Sequence, residues 1–193
     1  MISAIILAAG ESKRMGQPKM LMPWGNSTVL GQVIVTFQQA GVEDILVITG
    51  GAREEVEQIV KQKKARSVFN ERFASNEMLS SLQLGLAAQL SQAQATLIGL
   101  GDQPQVQAGT VRLICERFKD QRSKLIVPSF QKRRGHPWLV ERTLWQDLLG
   151  MQSPASPRDF LNLHAREIDY VEVDTSSILA DLDTPQDYQI SHP

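Results

Sequence analysis

The sequence predicts an α/β protein on a mostly parallel sheet, with residues 1–193 forming one domain. Two observations carry this. Uncharged apolar runs recur at Ile2–Leu7, Ile45–Ile48, Thr96–Leu100 and Leu125–Val127, as in strands covered on both faces. Between them lie segments with apolar residues at helical spacing, joined by short Gly-containing turns. That alternation calls for parallel strands linked by right-handed crossovers. Composition agrees: 42% hydrophobic and 21% charged residues describe an ordinary globular chain. A net charge of −1 gives no reason to expect nucleic acid or an acidic membrane surface as partner. Residues 1–9 lack a basic leader and their apolar run is too short to span a bilayer, so the expected location is cytoplasmic. The single cysteine, Cys115, allows no internal disulfide and sits on a helical apolar stripe, as a buried spectator would.

Taken in order, the first strand breaks at Ala8-Ala9-Gly10 into a loop carrying Ser12, Lys13, Arg14 and Lys19. Small residues let the backbone approach a ligand, and main-chain N–H groups with cations make an anion cradle suited to a nucleotide. A plain strand-to-helix connection with scattered charge would share these features. The spacing fits neither G-x-x-x-x-G-K-[ST] nor G-x-G-x-x-G. Asn26-Ser27-Thr28 offers the cap of a helix on Leu30, Val33, Ile34 and Phe37, which Gly41 closes. Ile45–Ile48 then runs to Gly50-Gly51, and Val56, Ile59 and Val60 mark a second helix. Ser67–Asn70 reads as a short strand. Asn76 to Leu82 opens a helix on Leu79, Leu82, Leu86 and Leu90, with Ser80 and Ser81 in its first turn, where they either cap the helix or meet an anion or polar base. The glutamines from Gln83 to Gln94 read as that helix's surface.

Thr96–Leu100 is the clearest interior strand and runs into Gly101-Asp102-Gln103-Pro104. An acid at the carboxyl end of a central strand is where an open α/β sheet places ligand chemistry, and Asp102 suits a hard cation; a turn Asp before Pro is the plainer alternative. A helix on Val111, Ile114, Cys115 and Phe118 precedes a strand over Leu125–Pro128. The basic loop Lys132-Arg133-Arg134-Gly135-His136-Pro137 then leads into a strand at Trp138. After the turn-rich 150–157 stretch, Ser156-Pro157-Arg158-Asp159 starts a helix, Ile168–Val173 reads as an edge strand, and Thr184-Pro185-Gln186-Asp187 starts the last helix. Asp181 and Asp183, two apart, share one face of an extended segment.

Four of these stretches resemble, in order, the hallmarks of the MobA-like NTP-transferase family. They are Leu7 to Lys19 (L-A-A-G-x-S-x-R-M-G-x-x-K), Gly101-Asp102-Gln103-Pro104, Arg134-Gly135-His136-Pro137 and Asp181-Leu182-Asp183-Thr184-Pro185-Gln186-Asp187. Leu-Ala-Ala-Gly at the strand end is similar to the molybdenum cofactor cytidylyltransferases, whereas guanylyl-transferring relatives read Leu-Ala-Gly-Gly. Two positions depart from the family: Glu77 stands where Gly is common, and Ser-Pro-Ala-Ser-Pro-Arg-Asp replaces a pterin-touching Gly-Asp-x-Gly-x-Arg loop. The resemblance implies a three-layer α/β/α, Rossmann-like nucleotide-binding fold of the nucleotide-diphospho-sugar-transferase type. It further implies transfer of CMP from CTP to a molybdopterin-type acceptor, with release of pyrophosphate. Nucleotide contacts would come from Leu7, Ala8, Ala9, Gly10, Ser12, Arg14, Lys19, Ser80, Ser81 and Gly101. Arg14, Lys19 and Asp102 would be catalytic, Asp102 and Asp183 would hold Mg²⁺, and Arg134 and His136 would face the acceptor. A client molybdoenzyme is the implied protein partner. The same residues are compatible with GTP, with another phosphorylated acceptor, or with a non-catalytic accessory role in molybdoenzyme maturation.

Overall fold

The computed structural model describes residues 1–75 and 78–193, so Asn76 and Glu77 lie outside the described residues. Apolar runs form the interior strands as expected. β1 (Ile2–Ala8), β4 (Asp44–Thr49) and β6 (Ala95–Leu100) are buried almost throughout. β1 lies between β4 and β6, parallel to both, and β4 also pairs in parallel with β5 (Arg66–Phe69). Beyond β6 the sheet continues through β9 (Trp138–Glu141), β7 (Leu125–Phe130) and β10 (Ile168–Glu172), giving the order β10-β7-β9-β6-β1-β4-β5, with the two-residue β8 (Arg133–Arg134) on β7. Among the described strands of four or more residues, β9 is the one that runs antiparallel, to both β6 and β7, so the sheet is mostly parallel. Pro23–Trp24 and Ser27–Thr28, β2 and β3, form a separate small hairpin.

Period-two alternation divides β1 between two cores. Ala4, Ile6 and Ala8 join one face with α1 (Val29–Gln39), α2 (Arg53–Gln62) and α4 (Ala108–Gln121). Ile5, Leu7 and Ala9 join the other, with α3 (Met78–Ala87), α5 (Trp145–Gly150) and α6 (Pro157–Leu163). The result is a three-layer α/β/α architecture. Local signals hold where a side chain meets an orphan N–H. Thr28 accepts from Gly31 N at the start of α1, and both Ser156 on α6 and Thr184 on α7 (Pro185–Ser191) complete capping boxes with an acid three residues on. Cys115 is buried, and desolvation pushes its thiol up to about 11. The expectation of a solvated glutamine surface fails at Gln83. Helix α3 ends at Ala87, and the Gln83 amide donates to the carbonyls of Leu148 and Met151, tying α3 to the end of α5. Exposed carbonyls at a helix end need donors, and a long amide side chain supplies them. Among the described residues no helix is long and apolar enough to cross a membrane.

Candidate active site

All parallel strands point their carboxyl ends to one side, and the connections leaving β1, β6 and β4 meet there. The loop after β1 is closed by its own backbone. Met15 N and Gly16 N both donate to Ser12 O, and Ser12 Oγ accepts from Lys19 N at 3.1 Å. Ser12 adopts φ +54° to make this turn. Ser12 thereby anchors the backbone of Lys19. The loop lies against Gly50, where a Cβ would sit 2.3 Å from Ala9 O; only glycine lets the two chains come this close. Gly51 N donates to Ala9 O at 3.3 Å, and Gly101 N to Leu7 O at 2.9 Å, so the two turns beside β1 hold its end in place.

A cavity of about 300 Å³ opens at this end of the sheet. Leu7, Ala9 and Gly10 line one wall, Ser81 and Leu100 another, and the cations and carboxylates the mouth. Lys19 Nζ lies 2.5 Å from Asp102 Oδ2 and 3.4 Å from Asp183 Oδ1, and Arg14 reaches the other oxygen of Asp183 at 3.0 Å. Lys19 and Asp102 are 11% and 17% exposed, so their attraction is little screened; Arg14, 72% exposed, adds little to stability and stays available to a ligand.

Asp183 arrives on a C-terminal segment that crosses the site from a 3₁₀ turn at Ser176–Leu179. His136 N donates to Ile178 O at 3.0 Å, and Leu182 N to Asp102 O at 3.1 Å. Leu182 is wholly buried among Met15, Met22, Trp24 and Val29. Its neighbours Asp181 and Asp183 both face the cavity, as their spacing predicts. Asp181 Oδ1 accepts from Gln103 Nε2 at 2.7 Å, and burial, followed by the charge of Asp102, raises its pKa.

The structure thus brings together Leu7, Ala9, Gly10, Arg14, Lys19, Ser81, Asp102 and Asp183. Ala8 turns its side chain into the opposite core, and Gly101 supports β1 through its N–H. Ser80 lines a neighbouring groove beside Asn70 and Gln83, and Asn70 Nδ2 donates to both Ser80 Oγ and Ser81 Oγ. Arg134 is not in the cavity: it donates to Tyr170 Oη and Asn162 Oδ1, each at 2.8 Å. His136 precedes β9, half-buried, and desolvation lowers its pKa to about 4, so its ring is neutral at neutral pH. Sequence reasoning assigned no role to Asp181, Gln103, Phe73 or Met78 in this site. Asp181 carried a signal in its two-residue spacing from Asp183, and Gln103 and Met78 lie inside motif stretches, whereas Phe73 carried none.

Two carboxylates converging on one ammonium are hard oxygen donors of the kind that share a divalent cation with phosphate oxygens, since Mg²⁺ takes one or two protein carboxylates and completes its shell from substrate and water. Asp102 and Asp183 fit that requirement. Among the described residues no group of three or more His, Cys, Asp or Glu is arranged to hold a metal ion without such help.

Known proteins bear on this geometry. The molybdenum cofactor cytidylyltransferase of Escherichia coli K12 is 29% identical over 187 residues, covering 97% of this chain and 93% of that protein. Nicotine blue oxidoreductase of Paenarthrobacter nicotinovorans is 28% identical over 190 residues, covering 95% and 92%. The crystal structure of Rv0371c from Mycobacterium tuberculosis H37Rv superposes with a TM-score of 0.85 at 29% identity, over 98% of this chain and 96% of that one, and Rv0371c has also been solved in complex with manganese. A nucleotidyl transferase from Methanothermobacter superposes with a TM-score of 0.85 at 26% identity, over 98% and 95%. These neighbours have the nucleotide-diphospho-sugar-transferase fold, and this chain shares it. Residues 4–168 match the model of the MobA-like NTP transferase domain, and with the strand order, the loop after β1 and the acid after β6 all in agreement, the chain belongs to that nucleotidyltransferase family.

Proposed function

We propose that this protein transfers CMP from CTP to the terminal phosphate of a molybdopterin-type acceptor and releases pyrophosphate, residues 1–193 acting as one cytoplasmic transferase unit that serves a client molybdoenzyme. The observation that carries the reading is the convergence of Lys19, Asp102 and Asp183 at the mouth of a cavity walled by the Leu7, Ala9 and Gly10 backbone. Similarity alone does not choose the substrate, because two relatives of different activity match to nearly the same extent.

In this reading the Leu7–Gly10 segment, including Ala8, reads the base through its main chain, and Ala9 selects cytosine. Ser81 and Ser80, held together by Asn70, present the first turn of α3 to the nucleotide. Ser12 and Gly101 keep the loop in register, Ser12 by aiming Lys19. Asp102 and Asp183 hold Mg²⁺, which supplies charge neutralisation on the phosphates. Lys19 and Arg14 bind the triphosphate and hold it against charge that builds as the leaving pyrophosphate departs; oriented cations in a partly dry site are effective at this. The acceptor phosphate oxygen attacks the α-phosphorus in line, the bond to the β-phosphate oxygen breaks, and no side-chain nucleophile is needed because the attacking group is already anionic. Arg134 and His136, on the hairpin that leads into β9, face the acceptor.

Pyrophosphate release by the purified protein from CTP and from GTP, each with and without molybdopterin, tests the proposal. Release from CTP that requires molybdopterin is the expected result. Release from GTP alone would reassign the base, CTP turnover on a different phosphorylated acceptor would reassign the acceptor, and nucleotide binding without turnover would make the protein an accessory factor.

A further inference from the structure

The turn after β6 and the C-terminal segment, far apart in sequence, are joined by two adjacent links. Leu182 N donates to Asp102 O, and Gln103 Nε2 donates to Asp181 Oδ1 at 2.7 Å. Gln103 is 3% exposed, and its Oε1 has no hydrogen-bond partner among the described residues. Leaving a buried carbonyl oxygen unpaired costs about 1–3 kcal/mol. A methionine or leucine would fill the same space without that cost; what the amide adds is an N–H donor, and it holds Asp181. Asp181 brings a third carboxylate into a mouth where Lys19 and Arg14 already pair with Asp102 and Asp183. Among the described residues its one hydrogen bond is to an uncharged amide, an arrangement that fixes position without neutralising charge.

The geometry points to Gln103 and Asp181 as positioning residues: their hydrogen bond sets the path of the C-terminal segment so that Asp183, two residues on, meets Asp102 across Lys19. This inference rests on the reading of the cavity as a metal–nucleotide site. Without the link, residues 179–183 keep the Leu182 anchor but gain freedom to rotate about it, and Asp183 loses its fixed reach. Two carboxylates that must take the same cation then pay an ordering cost at binding.

Mn²⁺ binding in the presence of CTP, followed by electron paramagnetic resonance titration, reads this without turnover. Gln103→Leu and Asp181→Ala are each expected to weaken binding about tenfold, and the double variant to be no weaker than either single one, since both remove the same link. Asp181→Asn keeps the acceptor oxygen and is expected to recover most of the affinity that Asp181→Ala loses. Equal thermal unfolding of the variants, or Gln103→Met where Gln103→Leu does not fold, separates positioning from loss of the fold. Single variants that bind like the unmodified protein, or effects that simply add, overturn the inference. Asp181→Asn as weak as Asp181→Ala also overturns it, by making the charge itself the functional element. Failure of the unmodified protein to bind Mn²⁺–CTP would instead refute the reading of the site.

Discussion

Replacing Gly135 by alanine tests how the C-terminal segment is held over the site. A Cβ built on Gly135 falls 2.5 Å from Ile178 O and 2.6 Å from both Ile178 Cγ1 and Cδ1, closer than real Cβ atoms come. Ile178 is wholly buried, so its side chain has nowhere to swing, and its carbonyl must move by about 0.5 Å merely to reach the shortest contact that Cβ atoms make, and by about 0.9 Å for an ordinary one. That carbonyl accepts from His136 N at 3.0 Å, so the shift also strains or breaks a hydrogen bond. Overpacking costs about 1–3 kcal/mol and the lost hydrogen bond about 1 kcal/mol more, for a total of about 2–4 kcal/mol. Urea unfolding should show this as a lower midpoint with an unchanged slope. Because Ile178 lies five residues before Asp183, Mn²⁺–CTP affinity should fall in the same variant. A destabilisation below about 0.5 kcal/mol with unaltered affinity would refute the reasoning, since it would mean that the segment gives way freely and is not clamped at this point.

Other consequences follow from the same geometry. Lys19→Ala should lower kcat/KM by the equivalent of about 2–4 kcal/mol, the loss expected for one oriented electrostatic donor, and a loss confined to KM would show instead that Lys19 binds substrate and transition state alike. Asp102→Ala should abolish turnover while circular dichroism stays native; near-normal activity with Mg²⁺ would remove Asp102 from the metal. The imidazole of His136 is held near 4 against an ordinary 6.5, so its contribution to stability is complete above pH 6.5 and is lost as pH falls from 6.5 toward 4. Allowing for its half-buried position, the loss is of order 2 kcal/mol, and His136→Gln should flatten that part of the profile in pH-dependent unfolding. Cys115, raised to about 11 by burial, should react with a disulfide reagent at pH 8 far more slowly in the folded protein than in urea, and equal rates would contradict its burial.

Much of the fold was readable along the chain because its rules are local. A strand buried on both faces is apolar along its interior, which marks the runs Ile2–Leu7, Ile45–Ile48 and Thr96–Leu100 within β1, β4 and β6, and helix starts need side-chain acceptors, which marks Asn26-Ser27-Thr28, Ser156 and Thr184. The motifs at Leu7 to Lys19, Asp102 and Asp183 likewise named residues that prove to share one cavity. The sequence by itself therefore determined the alternation of elements, the glycine-rich turn after β1 and the identity of the charged groups near it. Direction and distance belonged to the tertiary structure. Side-chain periodicity is the same in either strand direction, so the reversal of β9 between β6 and β7 left no trace in it. Adjacent helical residues point about 100° apart, and only packing against β1 decided that Ser81 faces the cavity while Ser80 faces the next groove. The pairing of Gln103 with Asp181 joins residues 78 apart, and the docking of Gly135 on Ile178 is likewise a contact between distant parts of the chain. Such contacts are decided by the closing of the whole chain around its two cores, which no local pattern of residues encodes.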